Sequence, residues 1–546
     1  VTALSSLIIV PILLPLLVAA VLLLLPGAGQ RQLRARINVC ATLAGLVVAA
    51  GLLVGVDNGG GAGRIEVYLA SNWQAPFGIV LVLDRLSALL LVLVGLVSTA
   101  SALYAEAGWS RAGTYFHPLF QMQLLGLNGA FLTGDLFNLF VFFEVLLAAS
   151  YGLQLHGSGW LRVRAGMHYI AVNLLASSLF LVGLAVLYGV MGTLSMADIA
   201  DKLALVAERD RALLHAGAAI LAVAFLIKAA IWPLNAWLLP AYTSTSAPVA
   251  ALFVLMTKVG FYALFRLWTL LFSDDAGASA HFGGEVLLTG GLLTLAFGAI
   301  GLLASIRLER IAAFSVIVTA GTLMAALGMK ATGLSAAALF YLVSATLSAA
   351  MLFLLLDLVR RTRVEGLVRP RETEILPDED DNLDDDQVPL IGRAFPMSVA
   401  LLGLAFVACA LLVAGLPPLS GFLAKLSLLT AAVRTMDDAP GGAWLLIPLL
   451  LLAGLFATIS LVRAGIHHFW AKGGRSAPQM KAEEGGAVVF LLAACGLLTV
   501  FAEPVFRYTT ATAAYLHAPR PYVDAVLGAQ ARPGPAASAE IKGAPP

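Results

Sequence analysis

The chain has 546 residues, 60% of them hydrophobic and 12% charged, with a mean hydropathy of +0.92 and a net charge of +1. A soluble domain lies nearer to about 45–50% apolar and about 25% charged, so this much apolar surface needs lipid as its solvent. The near-zero charge excludes a bulk basic field for nucleic acid. Three cysteines (Cys40, Cys409 and Cys495), all inside apolar runs, offer neither a disulfide framework nor metal-ligand spacing.

Apolar runs of roughly 18 or more residues predict about fourteen transmembrane helices. They fall near 5–26, 36–56, 78–104, 116–134, 136–155, 165–190, 213–239, 246–271, 285–305, 310–328, 334–358, 394–432, 443–465 and 485–502. The first run lacks a basic leader, which argues against a cleavable signal peptide. No alternating barrel-strand pattern accompanies the runs, so the expected fold is an all-α polytopic membrane protein. Lysine and arginine concentrate in loops after odd-numbered spans, among them Arg34, Arg162, Arg164, Arg307, Arg310 and Arg463. Those loops are therefore predicted to be cytoplasmic, with both termini outside. The longest loop, about 359–393, carries the acidic run Asp378 to Asp386 and reads as a solvated insert. The tail from Pro519, rich in proline, alanine and glycine, is predicted to be poorly ordered at its end.

Two spans are too long and too punctuated for simple helices. The seventh, FLIKAAIWPLNAWLLPAY, contains Pro233 and Pro240; the twelfth, LLVAGLPPLSGFLAKLSLL, contains Pro417 and Pro418 with Gly415 and Gly421. Proline removes a backbone donor and clashes with the preceding turn. Backbone freed in mid-membrane is tolerated only against protein or a water-filled cavity. Paired breaks in corresponding parts of two halves point to a transporter with inverted repeats. Spans 4–8 and 9–13 would be those repeats. The chain then divides into 1–115, a first repeat at 116–272, a second at 273–470 that includes the acidic loop, and a last span with tail at 471–546.

Charges lie inside four spans: Glu144 in LFVFFEVLLAAS, Lys228 in AVAFLIKAAIWPLN, Lys258 in ALFVLMTKVGFYALF and Lys425 in GFLAKLSLL. Each costs roughly 2.5–3.5 kcal/mol on insertion scales. A glutamate with three lysines, two of them near helix breaks, suits proton transfer. Burial disfavours an ammonium and a movable counter-charge restores it, so an amine can be made to take up and release a proton. His168, in GMHYIAVNLLASS, is a candidate relay. Asp84 and Arg85 read as an interfacial ion pair, Arg266 as a snorkelling end residue, Asp135 as a helix cap, and His467 with His468 as an interfacial anchor. No Walker loop, dinucleotide fingerprint or iron–sulfur or zinc cluster occurs. No enzyme site, cofactor or metal is expected, and the energy must come from an ion gradient or a partner.

The stretches FFEVLL, KAAIWPLNAWLLPAYTSTSAPVAALF, TKVGFYALFRL and AGLPPLSGFLAKL resemble the antiporter-like subunits shared by respiratory complex I and Mrp cation/proton antiporters. The resemblance runs from about 78 to 470. Within that group, RAGMHYIAVNLLASSLFLVGLAVLYGVMGTLSMADIA, LFLLLDLVRR and FAEPVFRYTTATAAYLHAPRPYVDAVLG are similar to the D-type subunit of Mrp antiporters.

The resemblance implies a fourteen-helix core, two inverted five-helix repeats and a hydrophilic axis at mid-membrane. By it, Glu144 matches the fifth-helix glutamate, Lys228 the seventh-helix lysine, Lys258 the eighth-helix connecting lysine and Lys425 the twelfth-helix terminal base. His168 falls where many complex I relatives have lysine. Relatives usually carry an eleventh-helix histidine within a stretch like YLVSATLSAAMLF, where Ser344 and Ala345 stand here. A water or a hydroxyl of Tyr341, Ser344 or Thr346 would have to bridge that gap.

The implied function is a proton-translocating subunit of a multisubunit Na+/H+ antiporter. Other Mrp-type subunits would be its partners in the cell inner (plasma) membrane. Two alternatives are a proton-pumping membrane subunit of a respiratory NADH dehydrogenase or membrane-bound hydrogenase, and a non-transporting scaffold. The first shares the bundle and its charges; the buried charges argue against the second.

Overall fold

The computed structural model describes residues 3–25, 30–58, 64–108, 113, 115–364, 397–436, 440–470 and 480–531. The apolar runs fold as helices. The first three spans are the short α1 (Ala3–Leu7) with α2 (Val10–Leu24), then α3 (Arg31–Asp57), then α4 (Arg85–Glu106). A two-stranded antiparallel hairpin, β1 (Glu66–Leu69) and β2 (Val80–Leu83), precedes α4 and pairs Glu66 with Leu83. This corrects the third span, predicted to start near 78. VLVL is an apolar run short enough to serve strand or helix, and the helix begins only where the Asp84 carboxylate accepts from the Ser87 N–H at 2.9 Å.

The middle of the chain gives α5 (Phe116–Leu132), α6 (Leu136–Leu155), α7 (Trp160–Met191), the short α8 (Met196–Lys202), α9 (Glu208–Lys228), α10 (Leu238–Ser244) and α11 (Ala247–Leu271). Asp135 caps α6 by accepting from Asn138 N at 2.9 Å, as its place in the turn predicts. Next come α12 (Gly284–Ala304), α13 (Leu308–Gly328), α14 (Thr332–Val364), α15 (Met397–Ala414), α16 (Ser420–Arg434), α17 (Pro440–Gly465), α18 (Ala482–Val500), α19 (Ala502–Leu516) and α20 (Arg520–Leu527). Thirteen helices among the described residues are long and apolar enough to cross a membrane. The fourth predicted span is α5, which has 17 residues.

Burial sorts these helices by depth. The central windows of α11, α13 and α14 are almost wholly buried, whereas in those of α2, α3, α15, α17 and α18 a third of the residues or fewer are buried, which places these helices on the outside. The inner three hold many small residues. In α13 the stretch AAFSVIVTAGTLMAALG is mostly glycine, alanine, serine and threonine, which lets backbones approach closely.

Both predicted breaks are present. α9 ends at Lys228, Ala230 takes a left-handed φ of 57°, and helix resumes at Leu238. α15 ends at Ala414, Gly415 takes φ 77°, and helix resumes at Ser420. Pro233, Pro417 and Pro418 lie in the links. Pro240 sits in the first turn of α10, where its missing N–H costs no helical bond.

Three expectations change: where α14 ends, the place of Arg266, and the pairing of Asp84 with Arg85. α14 runs to Val364, so helix extends into the predicted loop; the acidic run lies outside the described residues. Beyond α18 the chain folds back: the Phe506 ring of α19 stacks on Phe340 of α14 at 3.9 Å, and Tyr508 donates to Arg85 O at 2.8 Å. The tail predicted from Pro519 begins as α20, and its last residues, 532–546, lie outside the described residues. Finally, Arg266 does not snorkel. It is 5% exposed and pairs with Asp84, itself 1% exposed, at 2.5 Å, while Arg85 pairs with Asp57 at 3.2 Å. A charge buried this deeply persists only with a partner, and sequence neighbours 84 and 85 point to different ones.

Candidate functional site

Glu144 stands mid-way along α6, half-buried, and its carboxylate accepts a short hydrogen bond from the Ser177 hydroxyl of α7. Lys228 is the last residue of α9 and is 4% exposed. Its Nζ lies 4.9 Å from the centre of the Phe143 ring and has no hydrogen-bond partner among the described residues. Glu144 and Lys228 are close enough to interact electrostatically, yet no ion pair within 4.0 Å joins them. The glutamate is thus held by α7 while the lysine rests on an aromatic face.

Lys258 lies in the middle of α11, 1% exposed, and its Nζ also has no partner among the described residues. Two residues on, a Cβ at Gly260 would fall 2.5 Å from Ala229 N. Glycine there lets α11 press against the end of α9, so the helix of Lys258 abuts the break that carries Lys228. The side-chain nitrogen of Asn235 in that break, and the hydroxyls of Thr245 and Ser246 at the start of α11, are likewise buried without partners. Buried polar groups of this kind are normally satisfied by ordered water.

Lys425, on α16, closes the second break. Its Nζ donates to Ala414 O at 2.7 Å and Val413 O at 3.2 Å, the final carbonyls of α15. A cation there complements the negative end of the helix dipole. Its stem crosses Gly415, where a Cβ would collide with Lys425 Cδ. A cavity of about 20 Å³ opens beside it, lined among others by Ser315, Thr319, Tyr341, Ser344 and Ser348. That is room for one water. Ser344 and Ser420 share a hydrogen bond at 3.0 Å, which links α14 to the start of α16. Of the three candidate bridging hydroxyls, Tyr341 and Ser344 therefore lie at Lys425. Thr346 instead donates to Leu342 O of its own helix at 2.6 Å and does not line the cavity.

His168 lies apart from the lysines. It is exposed and lines a vestibule of about 1510 Å³ formed by the ends of α7, α11, α13 and α14 and by His467 and His468 after α17. Thr245 and Ser246 also line this space. From Ala247 at its edge to Lys258 is eleven residues, about 16 Å along the helix. The vestibule gathers Arg162, Arg164, Arg307, Arg310, Arg360 and Arg361 against Glu309 and Asp357. Sequence reasoning noted these arginines only as loop charge; nothing local shows that loops so far apart converge. Ser177 and Phe143 were also missed. Ser177 leaves a faint signal, since Asn173 and Ser177 at i and i+4 put two polar groups on one face of an apolar helix.

Fold and interior together define a polytopic helical membrane protein with ionisable groups buried among its helices. Residues 133–445 match the family described as NADH:quinone oxidoreductase/Mrp antiporter, TM. The D-type subunit of a probable K(+)/H(+) antiporter from Rhizobium meliloti is 50% identical over 536 residues, 96% of this chain and 98% of that one. The D-type subunit of the Na(+)/H(+) antiporter from Alkalihalophilus pseudofirmus is 34% identical over 530 residues, 96% of this chain and 99% of that one. Among solved structures, a chain of the Mrp complex from a Dietzia species superposes with a TM-score of 0.81 at 25% identity, covering 96% of this chain and 100% of that one. The chain belongs to the antiporter-like membrane subunits of the NADH:quinone oxidoreductase/Mrp family and, within it, to the D-type group.

Proposed function

We propose that the chain is the proton-translocating subunit of a multisubunit monovalent cation/proton antiporter of the cell membrane, assembled with other Mrp-type subunits. Protons pass from the break at Lys228 through Lys258 and intervening water to Lys425. The two broken helices, one in each repeat, mark the two ends of this path. Glu144 is the movable counter-charge. In a low dielectric a carboxylate beside an ammonium offsets its burial cost, so moving the carboxylate changes how tightly the amine holds its proton.

The observation that carries this reading is the arrangement around Lys228. Its nitrogen is buried and has no partner among the described residues, while the nearby carboxylate of Glu144 is held by Ser177 on another helix. A fixed structural ion pair would be closed; this one is open, the carboxylate held by one helix and the ammonium set on another. The relatives named above carry potassium in one name and sodium in the other. Either ion fits a subunit that handles the proton. The test is cation/proton exchange in vesicles holding the whole complex, with each cation in turn and with Lys228→Ala. Wild-type exchange by an assembled Lys228→Ala complex would remove this chain from the proton path.

A further inference from the structure

We propose that the basic vestibule binds the phosphate headgroup of an anionic phospholipid. Two of its six arginines are neutralised within the chain: Arg360 pairs with Glu309 at 2.9 Å and Arg361 with Asp357 at 2.5 Å. Arg162 donates to the Ser244 carbonyl at 3.0 Å. Arg164, Arg307 and Arg310 are exposed, line the same space and have no carboxylate partner among the described residues. Three guanidiniums without a carboxylate partner among the described residues, facing one cavity of about 1510 Å³, suit a phosphate, which they can engage in bidentate fashion.

The rim selects an amphiphile over a free anion. Trp160 and Leu161, each 76% exposed, directly precede Arg162, and Ile306, 75% exposed, directly precedes Arg307. All three line the vestibule. Exposed apolar side chains next to arginines at helix ends suit a lipid, whose acyl chains and phosphate need both kinds of surface. The turn after α17 likewise sets polar residues next to apolar ones. His467 and His468 line the vestibule, while Ile466 and Phe469 line an apolar groove of about 440 Å³ between α15 and α17. A phosphate alone has no use for that surface. The site draws on none of the buried lysines, so it stands or falls separately from the proton path.

The test uses the complex purified from its own membrane and exchanged into nanodiscs of phosphatidylcholine, with retained phosphatidylglycerol and cardiolipin measured by extraction and mass spectrometry. An arginine near an anionic lipid contributes about fivefold in affinity, so Arg307→Gln with Arg310→Gln should weaken retention roughly thirtyfold. Arg307→Lys with Arg310→Lys keeps the charge and should keep most of the lipid. Arg209→Gln, at the far end of α9, should match wild type. Phosphatidylglycerol vesicles should raise the thermal midpoint of the delipidated complex, and inorganic phosphate at the same phosphate concentration should not. Equal retention in wild type and the double glutamine variant, with both assembled, overturns the proposal. So does inorganic phosphate giving the same thermal shift as the lipid.

Discussion

Two kinds of buried charge coexist in this chain, and they differ in whether a partner is in place. Asp84 and Arg266 are closed: two contacts of 2.5 and 2.8 Å join them, and the Tyr262 and Tyr522 rings flank the guanidinium. Removing one member of such a pair strands the other, at about 3–5 kcal/mol. Arg266→Met should therefore lower the thermal midpoint of the complex sharply. Asp84→Asn with Arg266→Met should recover most of it, because asparagine still caps Ser87; a double variant no better than the single one would show that the pair is not the cause. Glu144 and Lys228 are open, and there the effect should fall on transport. Glu144→Gln keeps shape and hydrogen bonding but cannot hold an ammonium. Losing that attraction changes proton affinity by about ten- to a thousandfold. We expect it nearly to abolish proton uptake at neutral pH with assembly intact, and Glu144→Asp to retain part. Near wild-type uptake by assembled Glu144→Gln would end the switch assignment. All four charges were visible in the sequence, since charge in an apolar run stands out. Which were paired was not: 182 positions separate Asp84 from Arg266, and an apolar helix gives no sign of who faces whom.

At the scale of elements, the breaks do more than interrupt helices. The second leaves the last carbonyls of α15 without helical partners, and Lys425 supplies the donor. Gly415 is required twice, for its φ of 77° and for the lysine stem that crosses it. Gly415→Ala should push Lys425 off Ala414 O and reduce proton uptake well below wild type while the complex still assembles; unchanged uptake would mean that the position of this amine is not limiting. Ser344→Ala should slow uptake more than Thr346→Ala, since only Ser344 joins Ser420 beside the Lys425 cavity. Equal effects would route the relay elsewhere. Prolines and glycines in overlong apolar runs made both breaks legible. They did not tell Pro233, in a link, from Pro240, in a first helical turn, because both are prolines in apolar context. The hairpin at 66–83 was illegible for a related reason. Its second strand merges into the apolar run of α4, and only its pairing with the strand at 66–69 distinguishes it.

For the whole molecule, the distribution of charge bears on which ion this chain can carry. Lys228 and Lys258 lie in the buried interior, and the vestibule on one side is lined by six arginines against two carboxylates. A proton can hop through hydroxyls, amines and water without carrying a full cation past these groups. A sodium or potassium ion must keep oxygen ligands around it throughout, and a field of arginines repels it at short range. Among the described residues no group of three or more His, Cys, Asp or Glu side chains is poised to hold a metal ion. The chain by itself should therefore support proton movement without exchanging cations. Reconstituted alone in liposomes, it should show no sodium- or potassium-driven change in internal pH above that of Lys228→Ala, whereas the full complex should show both exchange and its loss in that variant. Robust exchange by the single purified chain, abolished by Lys228→Ala, would place the cation path inside this bundle and overturn the division of labour argued from its charges.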